Sequence, residues 1–342
     1  MKAVVLRGVN DLRLEDLPDP RPAPNEALIQ IKVSGICGTD VHMWEGKNHE
    51  GTFPFIPGHE WTGEVIEVGR EIKTLKVGDR VTGEPFISCK VCPSCRDGLA
   101  TNMCTDWEYY GFTWDTPGGM ANYVATKEER LFKLPDNVSY EEGALMDPVS
   151  CAYFAVWARG GGAAPHDRVV VFGAGPIGLC AFLTCKASGA PVIVVEPMQE
   201  RAQIARDLGA EAVLDPRAGD IVQQIMDHTN GLGATLIIEC SGSDAALATT
   251  VDVVAKQGRI VLIGQSVGRK VPIEIGKMIW QGCQMIGSCG SPHYYPKTLA
   301  FMSRHLVDLT SIITHRFPLT EALAAFELAK QASESGKVLL IP

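Results

Sequence analysis

The sequence lacks an apolar segment long enough to cross a bilayer. Its longest uncharged stretch, residues 169–185, contains three glycines and a proline, so it falls short of the ~18 consecutive apolar residues that a membrane helix needs. The opening residues carry only a short apolar run closed by Arg7, too short for the core of a secretion signal. We therefore expect a cytoplasmic protein with no membrane partner.

The sequence also has fewer positively charged than negatively charged residues. Lys and Arg together number 31, against 40 Asp and Glu, which gives a formal net charge of −9. The chain has no overall attraction to phosphate backbones, so we expect no nucleic-acid partner. Its 11 cysteines are an odd number and cannot form a closed set of disulfides, so they indicate metal binding, chemistry or core packing.

The composition is that of an ordinary globular protein, with 46% hydrophobic and 21% charged residues over 342 positions, enough for about two domains. Short apolar alternations broken by Gly and Pro, at 27–33, 63–68 and 121–125, predict β-strands in the first half. From residue 167 onward, apolar strands alternate with helical segments, which is typical of βαβ units. A domain boundary is therefore predicted just before that residue.

The second half predicts a doubly wound parallel sheet. Its strands are expected at 169–172, 192–195, 212–214, 235–238, 260–263 and 285–287. Further elements are expected as helices at 177–187, 297–305 and 321–332, and as a final strand at 337–341. We expect the segment after residue 290 to return to the first domain.

A glycine motif follows the first strand of this sheet. Gly173, Gly175 and Gly178 form G-x-G-x-x-G, with Pro176 and Ile177 in its second gap. The first glycine permits a tight turn, the second lets the backbone approach a pyrophosphate, and the third lets helix and strand pack. Such a turn can also be purely structural, so its place between a strand and a helix carries the prediction of a dinucleotide site.

Glu196 ends the second strand of the sheet, about 20 residues further on, where an acid would bind the adenosine ribose hydroxyls. A carboxylate at this point would repel the 2′-phosphate of NADP, and the next residues, Pro197 and Met198, offer no cation. The sequence therefore favours NAD. The alternative interpretation is a solvated acid at a strand end.

Four cysteines lie within 16 residues in a loop of the first half: Cys89, Cys92, Cys95 and Cys104. This close spacing suits tetrahedral Zn²⁺ in a closed structural site. A redox Cys-x-x-Cys would need an adjoining βαβ unit, which the strand-rich half does not offer. A zinc ribbon that binds nucleic acid disagrees with the acidic balance. The spacing therefore predicts a structural zinc.

A second set of metal-ligating residues is dispersed along the first half. Cys37, His59, Glu60 and Asp147 are each unremarkable alone, since a lone cysteine is often a small buried residue and Asp before Pro is a common turn. Together they supply one thiolate, one imidazole and carboxylates. That mixture fits a catalytic zinc, which takes three protein ligands and keeps an open position.

These motifs resemble the zinc-dependent medium-chain dehydrogenase/reductase family over essentially the whole chain, and most of all its polyol, cyclitol and threonine dehydrogenase branches. The resemblance rests on the glycine motif, on the four cysteines, and on Gly35-Ile-Cys37-Gly-Thr39-Asp40-Val-His42, Gly58-His59-Glu60, Gly78-Asp79-Arg80-Val81 and Thr314-His315-Arg316-Phe317. It implies an α/β protein with a GroES-like β-rich catalytic domain, 1–153 with 291–342, and a Rossmann NAD-binding domain, 154–290. The active site would lie in the cleft between them.

The resemblance also implies roles for individual residues. Cys37 and His59 would be zinc ligands, Glu60 a carboxylate that binds or leaves the metal, Asp147 the remaining ligand, and Asp40 the residue that orients His59. Thr39 and His42 would relay the alcohol proton to solvent while hydride passes to the nicotinamide. Further cofactor contacts would come from Arg201, Cys240, Ser241, Ile263, Gly264, Ser288 and Cys289.

Two departures from the family pattern stand out. Asp147-Pro148 replaces the usual Glu-Pro, and Asp is one methylene shorter, so ligation can be direct or bridged by water. The segment between Cys95 and Cys104 is one residue longer than usual. Pocket residues are expected among the aromatic and histidine side chains of the loops: Trp44, His49, Trp107, Tyr109 and Trp114. For each aromatic residue, simple packing is the alternative.

Three functions remain open at this point. The first is an NAD-dependent dehydrogenase of sugar alcohols or cyclitols, with two zinc ions per subunit and a homodimeric or homotetrameric assembly implied by the resemblance. The second is an L-threonine 3-dehydrogenase, whose motifs fit equally well. The third is a non-catalytic, zinc-stabilised binding protein, against which the presence of both Cys37 and His59 argues.

Overall fold

The computed structural model describes residues 1–47, 51–97, 103–264, 268–331 and 335–342. These divide into two compact units. The first unit comprises Met1–Asp147, Pro292–His305 and Ile313–Pro342, and the second comprises Pro148–Ser291 and Leu306–Ile312. His49, expected to line a pocket, lies outside the described residues. None of the described helices has both the length and the apolar character needed to span a membrane.

The first unit begins with short strands and a few short helices. Its strands are β1 (Lys2–Gly8), β2 (Asp11–Asp16), β3 (Glu26–Gly35), β4 (Glu60–Val68), β5 (Arg80–Gly83), β6 (Phe86–Ile87), β7 (Glu108–Tyr109), β8 (Tyr123–Lys127) and β9 (Leu131–Lys133). Its helices are α1 (Gly38–Trp44), α2 (Pro93–Arg96), α3 (Tyr140–Ala144) and α4 (Met146–Phe154), the last crossing into the second unit.

The second unit alternates strands and helices. The strands are β10 (Val169–Phe172), β11 (Val192–Val195), β12 (Ala212–Leu214), β13 (Ala234–Glu239), β14 (Val254–Leu262) and β15 (Gln284–Gly287). The helices are α5 (Pro176–Ala187), α6 (Gln199–Asp207), α7 (Ile221–His228), α8 (Asp244–Val253) and α9 (Ile275–Gln281). The chain then adds α10 (Tyr295–Met302), β16 (Ile313–Pro318), α11 (Ala322–Lys330) and β17 (Lys337–Ile341) to the first unit.

The sheet of the second unit is parallel, with the strand order β12-β11-β10-β13-β14-β15. Its central strands are buried along their whole length, as parallel strands covered on both faces should be. The order reverses between β10 and β13, and in doubly wound sheets a ligand binds outside the carboxyl ends of the strands at that point. The predicted doubly wound sheet is confirmed.

The main sheet of the first unit has the order β16-β17-β3-β4-β5-β9, with β8 also paired to β3. Its long strands β3 and β4 run antiparallel and bring Gly35 opposite Glu60. The C-terminal strand β17 pairs with the end of β3 through Leu339 and Gly35. The tail of the chain therefore completes the sheet that carries the dispersed metal-ligating residues.

Several predicted elements differ in extent from those observed. The predicted strand at 260–263 is the end of β14, which begins at Val254 directly after α8. The predicted helix at 297–305 is α10, which starts and ends earlier, and the one at 321–332 is α11. The predicted domain boundaries follow residues 153 and 290, whereas the structure divides the chain after Asp147, inside α4, and after Ser291, and it also assigns Leu306–Ile312 to the second unit. Because α4 is a continuous helix, no linker composition marks that division.

Candidate active site

Cys37 lies at the turn between β3 and α1. It is the N-cap residue of α1, and the buried Asp40 accepts a hydrogen bond from the Cys37 backbone N–H at 2.9 Å. A carboxylate placed three residues after the cap satisfies a backbone donor that a helix start leaves free. The second Asp40 oxygen accepts from the Gly58 N–H at 3.4 Å. Asp40 therefore ties the Cys37 turn to the segment that carries His59.

Cys37, His59 and Glu60 form one group, in which the candidate ligand atoms all lie within 4.8 Å of one another. The antiparallel register explains this, since Cys37 follows the end of β3 and His59 precedes the start of β4. Gly35 makes room for the group, because a Cβ at that position would lie 2.5 Å from Glu60 Oε2. Strand pairing therefore brings together residues that are far apart in the sequence.

His59 is buried, and its Nδ1 has no hydrogen-bond partner within the described parts of the chain. Asp40 Oδ1 lies 3.6 Å from that nitrogen. Burial lowers the pKa of His59, but the Asp40 carboxylate and the Cys37 thiolate outweigh burial and raise it well above the usual range. With Nδ1 facing Asp40, a bound cation would meet the other nitrogen of the imidazole and would balance the anionic groups around it.

Lys337 is a residue that sequence reasoning missed. Its Nζ forms an ion pair with Glu60 Oε2, and both side chains are almost fully buried. Burial lowers the pKa of Lys337, whereas Glu60 and Cys37 raise it, with a net rise. Lys337 begins β17, so only the pairing of β17 with β3 brings it to the group. The one sequence signal was a lysine at the head of an otherwise apolar strand.

Asp147 is not part of the group within 4.8 Å, although the sequence predicted it as a ligand. Its Oδ1 accepts a hydrogen bond from the Tyr295 hydroxyl at 3.2 Å. Burial raises the pKa of Asp147 to about 6, while His59 lowers it and Glu60 raises it. Asp147 is thus within electrostatic reach of the group without belonging to it.

The predicted proton relay starts beside Cys37. The Thr39 hydroxyl lies 3.7 Å from Cys37 Sγ, and Thr39 is half-buried. His42, one turn further along α1, is exposed. The helix therefore places a hydroxyl next to the candidate metal group and an imidazole in solvent.

Aromatic side chains stand next to His59. Tyr109 and Phe112 have ring centroids 6.2 and 5.6 Å from the His59 ring. Phe86 and Trp107 continue this cluster through contacts with Tyr109. Two of the expected pocket residues, Trp107 and Tyr109, therefore lie at the candidate site.

Trp44 and Trp114 do not join these rings. Trp44 is buried in the core and packs edge-on against Phe326, so it has the packing role that the sequence left open for each of these aromatic residues. Trp114 is exposed. Trp44 takes this packing role because α1 turns that side chain inward.

The four cysteines of the loop converge, with all four sulfurs within 4.8 Å of one another. Three of the separations are 3.5 Å for Cys92–Cys95 and 4.0 Å for both Cys89–Cys95 and Cys92–Cys104. Four sulfurs placed at ~2.3 Å around a tetrahedral zinc would be about 3.8 Å apart. The observed separations match that tetrahedron and are far longer than a disulfide bond of about 2.05 Å.

Backbone N–H groups support these sulfurs. Cys104 Sγ accepts from the Cys89 and Asp106 N–H groups at 3.3 and 3.4 Å, and Cys89 Sγ accepts from the Cys92 N–H at 3.3 Å. Hydrogen bonds from backbone N–H groups lower the pKa of Cys92 to about 6, whereas desolvation raises that of Cys95 to about 11. N–H donors stabilise thiolates, which is the ionisation state that binds metal.

A cavity of about 280 Å³ lies at the carboxyl ends of β10, β11 and β13. Its size approaches the lower limit of pockets that hold a drug-sized ligand, so it suits one half of a dinucleotide. Six of the predicted cofactor residues line it: Gly173, Gly175, Glu196, Arg201, Cys240 and Ser241. Sequence reasoning missed several other lining residues, namely Phe172, Val195, Pro216, Ile221, Ser243, Ala245, Ala246 and Thr249.

The remaining predicted cofactor residues do not line this cavity: Pro176, Ile177, Gly178, Ile263, Gly264, Ser288 and Cys289. Gly178 has a different use, because a Cβ there would lie 1.9 Å from the Gly173 carbonyl oxygen. Gly173 itself has a φ of 91°. The first glycine therefore makes the turn, and the third permits close packing of helix on turn, as the motif predicts.

Glu196 is buried at the edge of this cavity. Its two carboxylate oxygens accept hydrogen bonds from the Ala174 N–H at 2.6 Å and the Met198 N–H at 2.8 Å. The side chain therefore bridges the glycine turn and the end of β11, and it cannot be a solvated acid. Each oxygen keeps a free lone pair for a ligand hydroxyl.

Comparison with known proteins agrees with this arrangement. Residues 23–136 match the alcohol dehydrogenase GroES-like domain family, and residues 176–304 match the zinc-binding dehydrogenase family. A sorbitol dehydrogenase of Bacillus subtilis is 31% identical over 100% of this chain and 97% of its own. An L-threonine 3-dehydrogenase of Pyrococcus furiosus is 35% identical over 96% of this chain and 94% of its own.

Among solved structures, a zinc-binding dehydrogenase of Sinorhizobium meliloti bound to NADP superimposes with a TM-score of 0.92 at 29% identity, covering 100% of this chain and 99% of its own. Relatives above 30% identity that extend over the whole chain establish the family. The chain belongs to the zinc-dependent medium-chain dehydrogenase/reductase family, in its polyol and threonine dehydrogenase-like branch. The predicted GroES-like and Rossmann architecture is confirmed.

Proposed function

We propose that this protein oxidises a secondary alcohol of a polyol or cyclitol and reduces NAD. The observation that carries the proposal is the group formed by Cys37, His59 and Glu60, which joins a thiolate, an imidazole and a carboxylate within 4.8 Å. In the reaction the carbinol C–H bond breaks and its hydride passes to the nicotinamide ring. The hydroxyl proton leaves to solvent, and a ketone and NADH are formed.

Both cysteine-containing groups fit zinc. Cys37, His59 and Glu60 offer three mixed ligands, as catalytic sites do, and the four-cysteine group offers a complete set, as structural sites do. The convergence of Cys37, His59 and Glu60 and the spacing of the four sulfurs support two ions per subunit. At the three-ligand site a bound zinc would polarise the alcohol oxygen and ease loss of its proton.

The residues around the site divide the remaining work. Asp40 holds the Cys37 turn and faces the His59 imidazole, which keeps both side chains in position. Thr39 is the hydroxyl beside Cys37 that takes up the alcohol proton as it gives up its own, and exposed His42 passes the released proton to solvent. The aromatic cluster that Tyr109, Phe112 and Trp107 form next to His59 gives the site an apolar border for the carbon side of a substrate.

Glu196 supports the choice of NAD over NADP. Its carboxylate lines the cavity and is fixed by two backbone N–H groups, so it cannot turn away from a phosphate. Two unit charges 4 Å apart repel by about 4 kcal/mol at an effective dielectric constant near 20. A native protein that prefers NADP would contradict the role proposed for Glu196.

The polyol preference follows from the donor set. Replacing a second thiolate by carboxylates makes the site more polar and suits oxygen-rich substrates, whose neighbouring hydroxyl can meet Glu60 or Asp147. A site built to pair a hydroxyl rejects an analogue without it by up to ~10⁴-fold, because its polar groups are left unpaired.

The test is a comparison of kcat/KM for NADH formation with butane-2,3-diol, common polyols and cyclitols against butan-2-ol. We expect at least one vicinal diol or polyol to exceed butan-2-ol by about 10³-fold or more. Equal turnover of butan-2-ol and every diol would contradict the polyol proposal. No NADH formation with any alcohol by the zinc-loaded protein would contradict the enzymatic one.

L-threonine is the second candidate substrate. The relatives that favour it are the L-threonine 3-dehydrogenases, at 34–35% identity. Threonine also carries a carboxylate and an ammonium, which a dedicated site would have to pair. Activity with L-threonine, together with no activity on butane-2,3-diol or any polyol, would decide for this second function.

A second copy of the chain is the proposed partner. Ile279 and Trp280 on α9 are 77% and 83% exposed, and Ile275 lies on the same helix one turn earlier. The chain continues from α9 into β15, an edge strand without the charges or proline that commonly protect edges. Both features support a homodimer, or a homotetramer built from two such dimers. Light scattering of the native protein and of the Trp280→Ser variant will test this assembly.

Reduced thiols at both metal groups support a cytoplasmic location.

A further inference from the structure

The loop after β12 brings an arginine to the end of β11. Arg217 Nη2 donates a hydrogen bond to the carbonyl oxygen of Pro197, the residue directly after Glu196. Pro216, which precedes this arginine, lines the adenosine-side cavity together with Glu196. The sequence shows no cation directly after Glu196, but the loop after the neighbouring strand β12 places Arg217 there.

Asp215 holds this arginine in place. Arg217 Nε and Nη2 donate to the two oxygens of Asp215 at 3.0 and 2.9 Å, and the Arg217 backbone N–H donates to Asp215 at 2.9 Å. Such a two-pronged contact orients the planar guanidinium as well as attracting it. The arginine side chain is nevertheless 59% exposed, so its remaining N–H groups are open to a ligand.

Charges around the rim are balanced. Arg201 lines the cavity, and its pKa is lowered by burial but raised by Glu196. The Asp215 contact raises the pKa of Arg217, and the charge of Glu196 adds to that rise. Two carboxylates therefore offset two guanidiniums beside the position that an adenosine ribose would take. Loss of either carboxylate would leave this rim positive.

We propose that Arg217 and Asp215 form a second specificity determinant for the cofactor: Arg217 is the cation that would bind a 2′-phosphate, and Asp215 competes with that phosphate for it. This inference rests on the proposed use of a dinucleotide. Glu196 repels the phosphate, while Asp215 occupies the guanidinium of Arg217. Removal of Glu196 alone therefore relaxes the preference for NAD without creating a good site for NADP.

The experiment measures dissociation constants of ADP-ribose and 2′-phospho-ADP-ribose by calorimetry, a readout that needs no zinc and no turnover. The background is Glu196→Gln, which keeps one acceptor for the glycine turn, and Asp215→Asn, Arg217→Ala or Arg206→Ala is added to it. Arg206 is an exposed arginine of α6 outside the cavity lining and serves as the charge-matched control.

In the Glu196→Gln background we expect Asp215→Asn to shift the affinity ratio about 10-fold toward the 2′-phosphorylated ligand. Arg217→Ala should shift it about 10-fold the other way, and Arg206→Ala by less than about twofold. Equal shifts from Arg217→Ala and Arg206→Ala would overturn the inference while leaving the dinucleotide site intact. Failure of the native protein to bind ADP-ribose or NAD would overturn the dinucleotide site and the inference together.

Discussion

The two metal-type groups of the first unit are built in opposite ways. The four cysteines come from one short stretch of chain and are alike, and their sulfurs already surround a point at tetrahedral spacing. Cys37, His59 and Glu60 come from the turn after β3 and from the start of β4, and they differ in chemistry. A closed set of like ligands is suited to holding structure, whereas a mixed set of three leaves room for a substrate.

The surroundings of the two groups differ as well. The cysteine group is supported by backbone N–H donors and by no side-chain charge in the described contacts of its sulfurs. The Cys37 group is bordered by buried charged side chains, Asp40 and Lys337. Buried charged groups with shifted pKa values are typical of functional sites, so this second environment favours a chemical role.

Cys37→Ala should have the largest effect, because it removes one of the three proposed ligands, Cys37, His59 and Glu60. We expect kcat to fall by at least about 10³-fold, equal to about 4 kcal/mol of transition-state stabilisation, with loss of one zinc per subunit. The affinity for NAD should change little, since the cavity residues come from the second unit. Steady-state kinetics, metal analysis and NAD titration check these outcomes. Unchanged turnover after loss of that zinc would remove the distinction between the two groups.

Cys92→Ala should instead act on stability. A metal bound about 1,000-fold above its dissociation constant stabilises the fold by about 4 kcal/mol, and its loss should lower Tm by roughly 10 °C. Calorimetry compares this variant with Cys283→Ser, a half-buried thiol outside both groups. If Cys37→Ala and Cys92→Ala lower Tm equally and abolish turnover equally, the division into structural and catalytic groups is wrong.

Lys337→Met tests the buried ion pair that distinguishes the second group. It leaves the Glu60 carboxylate buried beside Cys37 without its cation, which should lower the free energy of unfolding by about 3 to 5 kcal/mol. Lys337→Arg should restore most of that loss. Urea unfolding provides the measurement, and Lys2→Met, which breaks an exposed pair with Asp16, should cost less than about 1 kcal/mol. A similar small loss of unfolding free energy at both positions would mean that the buried pair stabilises the fold no more than an exposed pair does.

Local pattern was enough to predict much of the fold. The bounds predicted for β10, β11, β12 and β17 match the structure because each is a short apolar run between turn residues. The start of β14 was missed because α8 passes into it without a turn signal, through Lys256 and Gln257, which do not read as a strand. Strand pairing outweighs local preference at such places.

The site was predictable only in part. Motifs and resemblance named Cys37, His59 and Glu60, and strand register explains why they meet. Lys337 is separated from Glu60 by most of the chain, and only the pairing of β17 beside β3 brings it near. Arg217 reaches the end of β11 because β12 is its neighbour in the sheet. Contacts that depend on sheet order cannot be found from spacing along the sequence.

Glu84→Gln should have the smallest effect on the free energy of unfolding. This substitution tests whether Glu84 governs the pH dependence of stability. Burial raises the pKa of Glu84 to about 7, the Asp147 carboxylate adds to the rise and Arg130 opposes it. Because the pKa of an unfolded Glu is about 4.3, the unfolded chain binds fewer protons than the native one between about pH 4 and pH 7, and stability falls as pH rises through that window. Glu84→Gln cannot ionise, so at pH 8 it should be more stable than the native protein by about 3 to 4 kcal/mol, and near pH 4 the two should be equal. Glu67→Gln, exposed on β4, should leave the pH profile unchanged. Urea unfolding across this pH range, with and without Cys92→Ala, shows which neighbour sets the pKa of Glu84. If Glu84→Gln still stabilises the protein in the Cys92→Ala background, Glu84 belongs to the surroundings of Asp147. If that stabilisation disappears, Glu84 belongs to the cysteine group, which begins five residues later in the chain.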